Sequence, residues 1–277
     1  MRRSSLIQGR HLGWSPQDIA TKPYARFWNP DMAPLRQNAR EALMQGAVAE
    51  DFIPPLEHAN EMFFSDKPTF ENGFTFAADG SMRIAIETDM PGVEPFMWDW
   101  WFGWHSDSAE RYKLWHPQAH MHASWAQDPP KGARNRERYI GYTSIVDEYV
   151  GADFLRLAIS FASPRSLGLT HPSLDDPKVA TAICANSTIK GMPITAGVLI
   201  HLIQKTPTGS RMRSRFWIGG NNIKPRGLIG YPAAMLAKVG LKSTDTDARA
   251  LLVHCAQEMA HLATFLPALY AQCKDMD

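Results

Sequence analysis

The chain has 277 residues, 44% hydrophobic and 21% charged, a balance that excludes wholesale disorder and fits one large domain with an elaboration. Its formal net charge of +1 lacks the excess that a nucleic-acid binder carries. Cys184, Cys255 and Cys273 have no Cys-x-x-Cys spacing, which argues against a disulfide scaffold or a thiolate zinc knuckle. Tryptophans and histidines are the informative excess, since Trp supplies apolar pocket walls and neutral His ligates metals.

Met1-Arg2-Arg3-Ser4-Ser5 has no apolar run behind it, so no secretory signal is expected. The longest apolar stretch, Ile194 to Ile203, is too short to span a membrane and carries His201. A soluble cytoplasmic protein with no membrane or nucleic-acid partner is the expectation. Residues 1–72 are broken by Pro23, Pro30, Pro34, Pro54, Pro55 and Pro68 and read as an N-terminal wrapping segment. One helix is predicted there, from Asp31 through Ala49. Residues 73–277 read as the catalytic domain. Phe74-Thr75-Phe76 and Met82 to Glu87 flank Asp79-Gly80, a hairpin signal. Pro95 to Trp104 is densely aromatic and predicts a short buried helix. Strands are predicted at Tyr139–Val150, at Leu155–Phe161 and at Val179–Lys190. Ile194–Lys205 and Arg213–Ile218 look like a later pair. Ala248 to Ala271 has the 3.6-residue apolar period of one long helix, capped by Thr244 or Thr246 and bent late by Pro267. Strands followed by a long helix suggest an α+β layout, an antiparallel sheet gripping that helix.

Three places could carry chemistry. His254 and Glu258 are four apart on the long helix, so one face can chelate an ion, and His261 extends that face. On spacing alone the pattern is more often a partly exposed helix surface with an i,i+4 pair. Trp115-His116-Pro117-Gln118-Ala119-His120-Met121-His122 holds three histidines in seven residues. If His120 begins a strand, His120 and His122 share a face; a histidine-rich loop is the bland alternative. Asp147-Glu148 sits in a strand pattern that turns only one carboxylate inward. His201, within an apolar run, reads as a neutral core histidine able to bond a phenol or carbonyl. His-Glu-x-x-His, Gly-x-Ser-x-Gly, a P-loop and a dinucleotide fingerprint are all absent.

Trp100-Trp101-Phe102-Gly103-Trp104-His105, with Glu110-Arg111-Tyr112-Lys113-Leu114-Trp115-His116-Pro117-Gln118-Ala119-His120, resembles the 2,4-diacetylphloroglucinol hydrolase family, which includes phloretin hydrolase. His254-Cys255-Ala256-Gln257-Glu258-Met259 and Phe265-Leu266-Pro267 resemble that family's C-terminal helix. The resemblance covers roughly residues 73–277. It implies a Bet v 1-like helix-grip domain with a smaller N-terminal segment. It also implies a zinc-dependent hydrolase that cleaves the carbon–carbon bond between an acyl group and a polyhydroxylated ring. Carried over by motif, the metal ligands are His120, Glu148, His254 and Glu258. Tyr112 and His201 match positions that contact substrate, and Trp101 belongs to the stretch expected to wall the pocket. A tyrosine of the family falls at Phe216 here, which removes a hydroxyl and points to a different acylphenol or β-diketone. Competing readings are a non-catalytic helix-grip protein binding an apolar ligand and a mononuclear non-haem iron enzyme. Fe2+ or Mn2+ stays open beside zinc, and a homodimer stays open as the assembly.

Overall fold

The computed structural model describes residues 10–64, 70–240 and 242–276. Ser15 caps α1 (Pro16–Thr21) with a reciprocal Ser15/Asp18 capping box. The helix expected over 31–49 is shorter: α2 spans Gln37–Gln45. Pro34 holds the chain before it extended, and Gly46, at φ 78°, ends it in a backbone conformation that a side chain would strain. The hairpin forms as expected, from β1 (Gly73–Phe76) and β2 (Ser81–Pro91). Gly80 supplies a φ of 82°, and the Asp79 carboxylate accepts from the Ser81 amide at 2.9 Å.

Pro95–Trp104 forms α3, Ala109–Trp115 forms α4, and β3 runs over His120–Trp125. The strand expected from Tyr139 starts later. Arg136–Tyr139 is a helical turn, α5, and β4 is Thr143–Val150. Then come β5 (Asp153–Ala162), β6 (Ala180–Ile189), a short β7 (Ile194–Thr195), β8 (Gly197–Thr206) and β9 (Gly209–Gly219). β10 (Lys224–Pro225) pairs with β7. α6 (Gly230–Gly240) follows, then α7 (Asp245–Ala263) and α8 (Leu266–Cys273). The single long helix is thus two. Thr264-Phe265 interrupts it because Pro267 has no N–H and would clash with the carbonyl four residues back; as the second residue of α8 it costs nothing. Thr244 is the cap, in a capping box with Asp247.

Eight strands make one antiparallel sheet, in the order β1-β2-β9-β8-β6-β5-β4-β3. α7 packs across it, mainly on β2. This is the expected α+β helix-grip layout. The aromatic face of α3 and the apolar stripe of α7 (Leu252, Cys255, Met259, Leu262) fill the main core. Tyr24, Ala39 and Ala42 join that core, and on the sheet's other face a second cluster unites Met62 and Phe63 with Leu174, Leu202 and Trp217. The wrapping segment is held there by the Trp217 indole donating to the Pro54 carbonyl at 2.9 Å and by Arg213 donating to the Met62 carbonyl at 2.8 Å. No helix among the described residues is long and apolar enough to cross a membrane.

Candidate functional site

α7 projects His254 and Glu258 from the same side, one turn apart, toward the ends of β3 and β4. β4 presents Ser144, Val146 and Glu148 on one face by strand alternation, and all three line a cavity of about 540 Å³. α4 ends at Trp115, and the backbone then folds so that the His120 amide donates to the His116 carbonyl at 2.9 Å. His120 opens β3 opposite Glu148. A β-bulge follows, because His120 pairs with Glu148 while His122 pairs with Asp147. The extra residue turns His122 to the opposite face from His120, against the shared face that simple alternation predicts. Asp147 is buried on that other face, paired with Arg10 and, at 3.2 Å, with Arg156. Both carboxylates are therefore buried, but only Glu148 lines the cavity.

His120 Nε2 stands 3.4 Å from His254 Nε2, 3.7 Å from Glu148 Oε2 and 3.5 Å from Glu258 Oε2. His254 Nε2 is 3.7 Å from Glu258 Oε2. Two ligands held ~2.0–2.1 Å from one tetrahedral ion stand ~3.4 Å apart, so these spacings suit a shared divalent cation. Proton positions agree. His120 Nδ1 is 3.0 Å from the Tyr112 carbonyl, which can only accept, so Nδ1 carries the hydrogen. The Tyr149 backbone beside the His254 ring works against the burial that lowers its pKa. The two Nε2 atoms face each other beside two carboxylates, with no cationic side chain among them. Such a set could hold a cation. The ligand atoms of His120, Glu148 and His254 lie within 4.8 Å of one another.

Burial pushes the His254 imidazole down to about 4 and His120 well below its ordinary range. It raises the Glu148 carboxyl to about 7, partly offset by the Tyr112 hydrogen bond, and Glu258 rises well above its usual range through burial and the Glu148 charge. The Tyr112 phenol donates to Glu148 and stacks on the His120 ring at 3.7 Å. Burial holds it protonated.

His201 and Phe216 line the same cavity, with ring centroids 5.7 Å apart. His201 Nδ1 lies 2.8 Å from Ser214 Oγ, and burial lowers its imidazole to about 3, so it is neutral. Trp101 is not among the lining residues. It is 0% exposed and stands behind the wall, stacked on His105 at 5.3 Å. Of the Pro95–Trp104 stretch, Phe102 is the side chain that reaches the cavity. His116 stacks on His254 at 4.9 Å without joining the four-residue cluster, and His261 accepts from the Ala33 amide at 3.1 Å. His105 and Ser144 also line the cavity and were not legible beforehand. The one local signal for His105 is its place four residues after Trp101, whose carbonyl it bonds at 2.9 Å.

The family described as DAPG hydrolase PhiG domain matches residues 52–271. The 2,4-diacetylphloroglucinol hydrolase of Pseudomonas protegens is 31% identical over 264 residues, covering 92% of this chain and 85% of its own length. The phloretin hydrolase of Eubacterium ramulus is 29% identical over 267 residues, covering 91% and 90%. Among solved structures, Ara h 8.0201 aligns with a TM-score of 0.32 at 11% identity, covering 66% of this chain and 99% of its own.

Proposed function

The chain belongs to the DAPG hydrolase family, and from that premise we propose that it is a metal-dependent hydrolase that splits the carbon–carbon bond between an acyl group and a polyhydroxylated aromatic ring. The observation that carries the reading is the convergence of His120, Glu148, His254 and Glu258 at a largely apolar cavity. The reaction takes the acylarene and one water to the free arene and a carboxylic acid.

An aryl–acyl bond has no good leaving group while the ring is aromatic. Once a ring hydroxyl tautomerises to a ketone, the acyl group becomes one half of a β-diketone, and the leaving carbanion is a stabilised enolate. The two histidines and two glutamates would hold the ion, zinc by the nitrogen and oxygen donor set, with Fe2+ and Mn2+ as alternatives. When bound, such an ion polarises a carbonyl and lowers the pKa of water. The chain's own groups do the rest. Tyr112, kept as a phenol, offers its hydroxyl beside Glu148 and orients a substrate oxygen there. Neutral His201 bonds a ring oxygen and supports the keto tautomer. Phe102, Phe216 and Leu157 exclude bulk water and hold the ring.

Metal analysis of the purified protein, paired with turnover on an acylphloroglucinol panel, tests the reading. The expected result is about one divalent ion per chain and release of arene and acid together. A protein that binds these ketones without releasing acid would instead be the non-catalytic helix-grip binder.

A further inference from the structure

Three buried polar side chains beside the cavity have no part in the proposed chemistry: His105, Ser106 and Ser144. Their hydrogens can be placed one by one. His105 Nδ1 is 2.9 Å from the Trp101 carbonyl, which can only accept, so Nδ1 bears the hydrogen. Burial lowers this imidazole to about 4, so near neutral pH its Nε2 is a bare lone pair. Ser106 Oγ lies 3.2 Å from that nitrogen and donates to it. A hydroxyl has one hydrogen, and Ser106 has now used it. The 2.9 Å contact between Ser106 Oγ and Ser144 Oγ is therefore made by the Ser144 hydrogen. What Ser144 has left is an acceptor, on a residue that lines the cavity.

Position gives that acceptor a meaning. Ser144 and Glu148 lie on the same face of β4, four residues apart. At ~3.3 Å per residue, Ser144 sits ~13 Å along the strand from the ligand cluster. Between them Val146 lines the wall, and Leu157, Ile159 and Phe161 of the neighbouring strand are apolar. An apolar wall discriminates weakly between ligands, whereas a buried group set to bond a hydroxyl discriminates strongly.

We propose that Ser144 Oγ determines specificity by accepting a hydrogen bond from a hydroxyl at the end of the substrate remote from the scissile carbonyl. The substrate class is then an acyl polyphenol long enough to span the cavity and ending in a hydrogen-bond donor. The orientation of that substrate rests on the hydrolase reading; the direction of the hydrogen bond does not.

The test uses two acylphloroglucinols that differ only at the far end of the acyl arm, one ending in 4-hydroxyphenyl and one in phenyl. Binding is read by calorimetry and turnover by acid release, separately. The metal-loaded wild type should bind the hydroxyl ligand about 10-fold more tightly. Ser144→Ala should bring the ratio to within about 2-fold while leaving the phenyl ligand's affinity unchanged. Ser106→Ala frees the Ser144 hydrogen, so a third ligand ending in 4-acetylphenyl should gain on the hydroxyl ligand. A wild-type ratio near one, or equal weakening of both ligands by Ser144→Ala, overturns the proposal. Should Ser144→Ala not fold, Ser144→Cys keeps the shape, slightly enlarged, with a poor acceptor, and the same ratio decides. A hydroxyl preference in binding without turnover of either ligand supports Ser144 and sinks the hydrolase reading. Turnover with a ratio indifferent to Ser144 does the reverse.

Discussion

Residue by residue, the cavity sorts into groups that could hold an ion and groups that would select a substrate. His254→Ala should lower bound metal and acid release together while the far-ultraviolet circular dichroism stays unchanged. One ligand of the four is lost, but α7 keeps Leu252, Cys255, Met259 and Leu262 in the core. Full metal occupancy in that variant would contradict the ligand assignment. Phe216 is 7% exposed and faces the cavity beside His201. Phe216→Tyr restores a hydroxyl and should shift kcat/KM toward the more hydroxylated acylphenol by about 1 kcal/mol, or roughly fivefold. An unchanged ratio means the ring does not touch substrate. His201 also contributes to the pH dependence of stability. Burial lowers its folded pKa from 6.5 to about 3, so below pH 6.5 the unfolded chain takes up a proton that the folded one refuses. Its contribution is whole above 6.5 and is lost as pH falls toward 3, with a slope of up to ~1.4 kcal/mol per pH unit. Urea melts of metal-free protein between pH 7 and 5 should show a shallower loss for His201→Asn than for the wild type. Parallel curves would show that His201 is not held neutral by burial.

The elements differ in how plainly the sequence announces them. The β1–β2 hairpin was legible because Asp-Gly sits between two alternating runs, and α7 because its apolar residues keep the helical period. The β3 bulge was not legible. Alternation assigns faces within one strand, while the bulge is a property of the pair, visible only once His120 stands opposite Glu148 and His122 opposite Asp147. α3 is apolar almost all round, Asp99 apart, so its sequence has no clear period to say whether Trp101 or Phe102 meets the cavity. The α7–α8 break was half legible. Pro267 signalled a disturbance, but its tolerance in a first turn places the stop upstream, at Thr264-Phe265. At the other end of α7, the Thr244 hydroxyl and the Asp247 carboxylate cap each other's backbone amides. Thr244→Ala should cost about 1 kcal/mol in a denaturant melt. A change within error would mean the helix start is held by its packing alone.

For the whole molecule, the site is a meeting point of three distant stretches: β3, β4 and α7. The helix pair was readable from its spacing, but its meeting with His120 and Glu148 depends on the register of the sheet and on the seat of α7 across β2. Spacing alone could not supply that, and the family resemblance did. Such a site also ties stability to metal. An ion bound by the folded chain and not by the unfolded one stabilises the fold by about 2.7 kcal/mol when free metal is 100 times its Kd. A chelator should therefore lower Tm, and returning the ion should restore it. The central claim is that one buried ion, held by two histidines and two glutamates, lets this cavity hydrolyse an acyl–aryl bond. Its most direct test is acid and arene release from an acylphloroglucinol by the chelator-stripped protein before and after titration with Zn2+. The account predicts no release from the stripped protein and equimolar release that saturates at about one equivalent of ion; release undiminished by stripping, or none at full occupancy on any member of the panel, would contradict it.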